Sequence, residues 1–146
     1  MSRITMIKIG SDGKPLPDDS TEQHVAVLLP DHGLMFTATN VAEDVPHADC
    51  ETACNACSVA GFTDWRVPAS SELMLLIDHG RREPAIDTTY FRDIASDWYW
   101  TSTPWIDADG EPSASDAWGV YFYYGNVYDY PRSYLGFALA VRRAGQ

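Results

Sequence analysis

Three cysteines fall within eight residues, as Cys50-x3-Cys54-x2-Cys57. A loop with such spacing can wrap an iron–sulfur cluster, and thiolates are also zinc ligands. The surrounding segment, 46–60, instead reads as helix, with Pro46 near its first turn, an Ala-rich interior and Gly61 as its stop. On a helix, positions 47, 50, 54 and 57 share a face. Cys50 and Cys57 would then stand about 10 Å apart along the axis, and zinc–sulfur bonds of about 2.3 Å cannot bring all three to one metal. The expectation is three free thiols filling a helix–sheet seam, with no metal and no cofactor. His24, His32, His47 and His79 are scattered singly and form no ligand pattern. Asp107-x-Asp109-Gly110-Glu111 shares its acids with part of a calcium loop, but the glycine comes too early for an EF-hand. A solvated acidic loop is expected there. Asp64-Trp65-Arg66 offers a buried Trp with a possible Asp–Arg pair. There is no nucleophile elbow, phosphate loop or dinucleotide fingerprint, so nothing argues for an enzyme.

Recognition chemistry is concentrated in residues 118–137, WGVYFYYGNVYDYPRSYLGF, which hold six of the eight tyrosines. Tyr gives large contact area at low side-chain entropy cost, plus one hydroxyl. Mixed with Gly, Asn, Ser and one Arg, it makes a composition suited to a binding face. The candidate ligand-binding set is Tyr121, Tyr123, Tyr124, Asn126, Tyr128, Asp129, Tyr130, Arg132, Ser133 and Tyr134. The competing reading is a twisted hairpin whose tyrosine rings cover the core while their hydroxyls stay wet. Side chains alternate across a sheet, so Trp118, Val120 and Phe122 fall on one face, expected to be buried, and Tyr121 and Tyr123 on the other. Gly125 and Asn126 suit a turn, and Pro131 confines 128–136 to an exposed loop or edge.

These residues need a scaffold. The 146 residues fit a single domain, 1–146, with one core. Net charge is −11, which opposes nucleic acid and anionic membrane surfaces. The first residues carry no apolar signal region and no run nears the ~20 residues of a membrane span, so a cytoplasmic or virion-associated protein is expected. Residues 3–9, 24–29 and 33–36 read as strands, and 70–79 as a second helix with Leu73, Leu76 and Ile77 as its apolar stripe. A long irregular stretch holding Pro84, Pro104 and Pro112 follows, interrupted by a buried strand at 98–102. The last strands are 117–124 and 137–142. The fold class is α+β, two helices packed on short antiparallel strands.

Several blocks together resemble the Lcl C-terminal-like domain family. They include Ala60-Gly-Phe-Thr-Asp-Trp65-Arg-Val-Pro68, Ser71-Glu-Leu73, Tyr99-Trp-Thr-Ser-Thr103, Ala117-Trp118-x-Val120-x-Phe122 and Ala140-Val-Arg142. The resemblance covers about 30–143 and implies a C-type-lectin-like fold of the formylglycine-generating-enzyme branch, used as a non-catalytic recognition domain. The reactive cysteine pair of that branch's enzymes lies near the C-terminus, and this chain has no cysteine after Cys57. The calcium-site motifs of true C-type lectins, Glu-Pro-Asn and Trp-Asn-Asp, are absent. The family also includes variable proteins of diversity-generating retroelements, whose mutated adenines fall in codons near the C-terminus. From AAC or AAT, such mutation reaches Tyr, Asn, Asp, Ser, Phe, Leu, Gly and Arg but not Trp. Positions 121, 123, 124, 126, 128, 129, 130 and 134 are all Tyr, Asn or Asp. The resemblance implies a macromolecular ligand, protein or glycan. The alternatives are a structural or oligomeric subunit whose tyrosines pack on partner chains, and an enzyme or metal protein built on Cys50, Cys54 and Cys57.

Overall fold

A computed structural model describes residues 4–144. It is mostly sheet with few helices, an α+β arrangement. The first sheet is formed by β1 (Ile7–Ile9), β2 (Ala26–Leu29), β3 (Leu34–Thr37) and β9 (Val141–Arg143), in that spatial order and antiparallel throughout. The second has the order β4-β8-β5-β6-β7. Its members are β4 (Ala42–Val45), β5 (Trp98–Ile106), β6 (Pro112–Tyr121), β7 (Asn126–Pro131) and β8 (Gly136–Ala138). Here β5 and β8 run parallel, through the single pair Tyr99–Phe137.

The second sheet divides the interior, because its side chains alternate. Tyr99, Val120 and Phe122 join Phe36, Leu73 and Leu139 in one apolar cluster. Trp98, Trp100 and Ala117 join Cys50, Cys54 and Trp65 in the other. Each helix serves one cluster. α1 (His47–Asn55) buries Cys50 and Cys54, four residues apart and so one above the other on its inner face. α2 (Ser70–Leu73), with its 3-10 extension Met74–Leu76, buries Leu73 and Leu76 on the opposite side. Glu72, in the first turn of α2, accepts from the Ala69 backbone N–H at 2.8 Å and grips Arg66 through two bonds of 2.7 and 2.8 Å.

Several expectations are corrected. The helix expected over 46–60 ends at Asn55, and Cys57 lies beyond it; Ala60, at φ +58, breaks the following 3-10 turn. The helix expected over 70–79 ends by Leu76, because Ile77 is extended. The strands of 3–9 and 24–29 are shorter, 7–9 and 26–29, and Arg3 lies outside the described residues. Pro104 and Pro112 do not mark irregular chain: Pro104 sits inside β5 between two register shifts, and Pro112 is the first residue of β6, both places where a missing N–H is tolerated. Residues 107–111 form the tip of that long hairpin. The strand of 117–124 ends at Tyr121, where the turn begins. The strand expected over 137–142 is two strands, β8 and β9, that belong to different sheets. Asp64 and Arg66 do not pair. Asp64 meets Arg142 at 2.6 Å, and Arg66 meets Glu72.

Candidate functional site

The tyrosine-rich surface is built on β6, β7 and the turn between them. Register places Tyr121 opposite Asn126, Gly119 opposite Tyr128 and Ala117 opposite Tyr130. Directly paired residues share a face, so Tyr121, Asn126, Tyr128 and Tyr130 project on one side. That side is also the side of Trp98 and Trp100, through the pairs Trp98–Tyr121 and Trp100–Gly119.

Trp98 is the base on which the surface rests. Its indole is 3 % exposed and stands edge-on to Trp100, with ring centroids 5.4 Å apart. It fits only because Gly119 and Gly136 have no side chains. A Cβ on Gly119 would clash with Cζ2 and Cε2 of the Trp98 indole and come 2.7 Å from the Tyr99 carbonyl oxygen. One on Gly136 would meet Trp98 Cδ1 at 2.8 Å. Tyr130 covers the indole, with ring centroids 4.3 Å apart and planes tilted by 36°. Tyr134 meets Tyr130 at 5.1 Å, and Tyr128 lies 6.3 Å from Tyr130 on the other side. The Asn126 amide donates to the Tyr128 hydroxyl at 2.8 Å.

The remaining tyrosines cluster at the turn. Tyr121 lies 5.9 Å from Tyr123, and Tyr123 lies 4.5 Å from Tyr124. This turn is held from below by three backbone carbonyls. The Glu83 and Ala85 N–H groups donate to Tyr123 and Phe122 oxygens at 2.9 and 2.6 Å, and the His79 ring reaches the Gly125 oxygen at 3.2 Å. Gly125 has φ +85, a conformation that favours glycine. The Glu83 carboxylate accepts from the Tyr123 hydroxyl and raises its pKa. Arg82 lies over the Tyr124 ring at 5.8 Å.

The ten candidate residues are thus not equivalent. Tyr124, Tyr128, Tyr130 and Tyr134 are exposed, by 38–51 %. Ser133 is exposed, and Tyr121, Tyr123 and Asn126 are half-buried. Asp129 pairs with Trp118 and therefore lies on the opposite face of β7 from the tyrosines. Arg132 is not a free surface cation. Its Nη1 meets His47 Nδ1 at 3.5 Å and its Nη2 donates to the Ser113 carbonyl at 3.3 Å. His47 is 2 % exposed and its Nε2 meets the Thr101 oxygen at 2.9 Å, so that nitrogen carries the proton and Nδ1 can accept from Arg132. Burial lowers the His47 pKa, and the Arg132 charge lowers it further. The His47 backbone N–H also donates to the Arg132 carbonyl at 3.0 Å, tying the 131–135 loop to α1.

Val120 and Phe122 are fully buried on the face opposite Tyr121. Trp118 shares their face but is only half-buried, contrary to expectation. It lies further along β6 than the core, towards the hairpin tip. Trp98, which carries the surface, was not among the expected site residues. Its signal was the Trp-Tyr-Trp alternation at 98–100, which puts two indoles on one face of β5.

Cys50 and Cys54 are fully buried and Cys57 is partly so, all as free thiols. Burial pushes the Cys50 and Cys54 thiols up to about 12, so both are protonated at neutral pH. Among the described residues, no three His, Cys, Asp or Glu side chains are grouped as metal ligands. No helix among them is long and apolar enough to cross a membrane.

The profile of the Lcl C-terminal domain family matches residues 27–142, a span that runs from β2 to β9 and contains the whole tyrosine surface. The chain belongs to the Lcl C-terminal domain family. In this Lcl C-terminal domain the matched segment takes in both helices and most of both apolar clusters, with Ile9 and Ala26 of the second cluster lying before it. A comparison with curated proteins finds no match.

Proposed function

We propose that this Lcl C-terminal domain is a non-catalytic recognition module that binds a macromolecular ligand through its tyrosine-rich face. The observation that carries the reading is a set of exposed aromatic rings held in place by a buried indole layer. Four of its tyrosines are exposed by 38–51 %, yet their rings rest on one another and on a buried indole. Exposed aromatic rings held in fixed positions lose little freedom on binding, which favours recognition. Family membership supports the same reading. In this proposal Tyr124, Tyr128, Tyr130 and Tyr134 are the anchors, Tyr121, Tyr123, Asn126 and Ser133 add polar contacts, and Arg132 is a support for the loop. The ligand is not nucleic acid, because the net charge of −11 repels phosphate.

The finer proposals are a C-type-lectin-like fold and the role of a variable protein diversified by a retroelement, in phage or bacterial surface recognition. The support for the second is that the exposed positions carry residues reachable by adenine mutation from AAC or AAT, while Trp98 and Trp100 beneath them lie outside that set. A display library randomised at 121, 123, 124, 126, 128, 130, 133 and 134 tests the module. Most members should fold, and binders to unrelated protein targets should be recoverable. General misfolding, or a wild-type oligomer that buries these tyrosines, would replace the recognition reading with that of a structural subunit.

A further inference from the structure

The tyrosine surface sits beside an unpaired strand edge. Among the described residues, β7 is the last strand of its sheet and has β6 alone as a neighbour there. Backbone groups of an antiparallel strand alternate between the two sides. The Phe122 N–H donates to the Asp97 oxygen and the Arg132 N–H to the Ser115 oxygen. Counting along the register from these two bonds, Trp118 and Val120 turn their backbone groups to β5, and Ala117, Gly119 and Tyr121 turn theirs to β7. Their β7 partners Tyr130, Tyr128 and Asn126 therefore face inward. Val127 and Asp129 face outward, each presenting one N–H and one C=O. Pro131 ends the edge: it has no N–H, and its carbonyl accepts from Tyr134 at 3.0 Å.

Other sheet edges are less open. At the far side of the same sheet, β4 has a register shift, a positive φ of 58° at Asp44 and exposed carboxylates at Glu43 and Asp44. These features discourage pairing. β1 and β9 have three residues each and are bridged by Pro15 and Arg66. The six-residue β7 is the longest free edge among the described residues.

Charge selects the occupant. Along β6, β7 and their turn, residues 112–131, the chain has two carboxylates, Asp116 and Asp129, and no Lys or Arg, while Arg82 lies over Tyr124 at the turn. Asp129 stands on β7 itself, and Asp116 pairs with Pro131 at its end. Arg132 is held by His47 and Ser113. A second copy of this chain would bring two such acidic segments together, which like-charge repulsion opposes.

We propose that β7 binds an extended, net-basic segment of a polypeptide ligand as an added strand, hydrogen-bonded to Val127 and Asp129, with Tyr128 and Tyr130 contacting its alternate side chains. Strand addition of this kind draws affinity from the main chain and specificity from every second side chain. The proposal rests on the recognition reading and narrows its ligand to a polypeptide.

The probe is a library of randomised linear nonapeptides panned against the whole protein. Recovered binders should be rich in Lys or Arg. N-methylation of their alternate, β7-facing amides should weaken binding by about tenfold, and of the intervening amides by little. Hydrogen exchange at the Val127 and Asp129 amides should slow by more than about tenfold on peptide binding. The proposal is overturned if no binder emerges, if binders are acidic, if N-methylation shows no alternation, or if those two amides are unaffected. Protection that grows with protein concentration in the absence of peptide would assign the edge to a second copy and also overturn it. Binding that is lost in Tyr128→Ala but leaves both amides unprotected would sink strand addition and keep the recognition face.

Discussion

Gly119→Ala tests the packing that supports the tyrosine surface. The added methyl would clash with Cζ2 and Cε2 of the Trp98 indole and come 2.7 Å from the Tyr99 carbonyl oxygen. That oxygen belongs to the central strand of the sheet, so the indole must move. It cannot move freely, because Gly136 approaches it from β8 and Tyr130 covers its ring at 4.3 Å. Overfilling a packed core costs about 1–3 kcal/mol. Complete loss of the Trp98 site sets a ceiling of about 3–5 kcal/mol. A cost of about 2–4 kcal/mol corresponds to a melting temperature lower by about 5–15 °C in a domain of this size. The assay is a thermal melt of four proteins: wild type, Gly119→Ala, Trp98→Leu and the double variant. The smaller leucine makes room for the methyl, so the double variant should be more stable than the sum of the single effects by about 0.5–3 kcal/mol. A Gly119→Ala melt within about 2 °C of wild type, or additivity in the cycle, would refute the wedged indole.

Other outcomes follow from the same geometry. Tyr124→Ala and Tyr134→Ala, each removing a ring that is 51 % exposed, should cost about 1 kcal/mol or less in chemical denaturation, whereas Trp98→Ala should cost about 3–5 kcal/mol. His47 holds a pKa below the 6.5 of an unfolded histidine, so the unfolded chain binds more protons as pH falls through 6.5. Stability should therefore decline from about pH 7 towards the lowered value, and His47→Gln should show a shallower decline in melts at pH 5–7.5. With Cys50 and Cys54 buried and protonated, native protein at pH 7.5 should expose at most the Cys57 thiol to a thiol reagent, and all three should react once it is unfolded.

Local pattern revealed the parts of this molecule that depend on local rules. The alternation along 118–122 separates Val120 and Phe122 from Tyr121, and Gly125 marks the turn. Pro131 confines 128–136 to an exposed loop or edge, and 128–131 indeed lie in the edge strand β7, with a loop after it. What the sequence hid are contacts across long separations. Asp64 passes over its neighbour Arg66 to reach Arg142, because β9 runs beside that segment. His47 and Arg132 are 85 residues apart and meet only when the 131–135 loop docks on α1. Pro104 and Pro112 read as breakers, but strands with shifted register tolerate them. The side-chain type and face of Trp118 point to the core, yet depth along the strand, which periodicity does not encode, leaves it half-exposed.

The central claim is that the tyrosine face binds and the indole layer beneath it folds. Its most direct test is affinity measured in parallel with melting temperature, for a ligand of the wild-type protein such as a binder recovered from the nonapeptide library. The variants are Tyr128→Ala, Tyr130→Ala and Tyr134→Ala. The account predicts an affinity loss of about 1 kcal/mol or more for at least two of the three, with melting temperatures shifted by less than about 4 °C. Unchanged affinity in all three, or melts lowered by about 10 °C or more throughout, would contradict it and make these tyrosines a cover for the core.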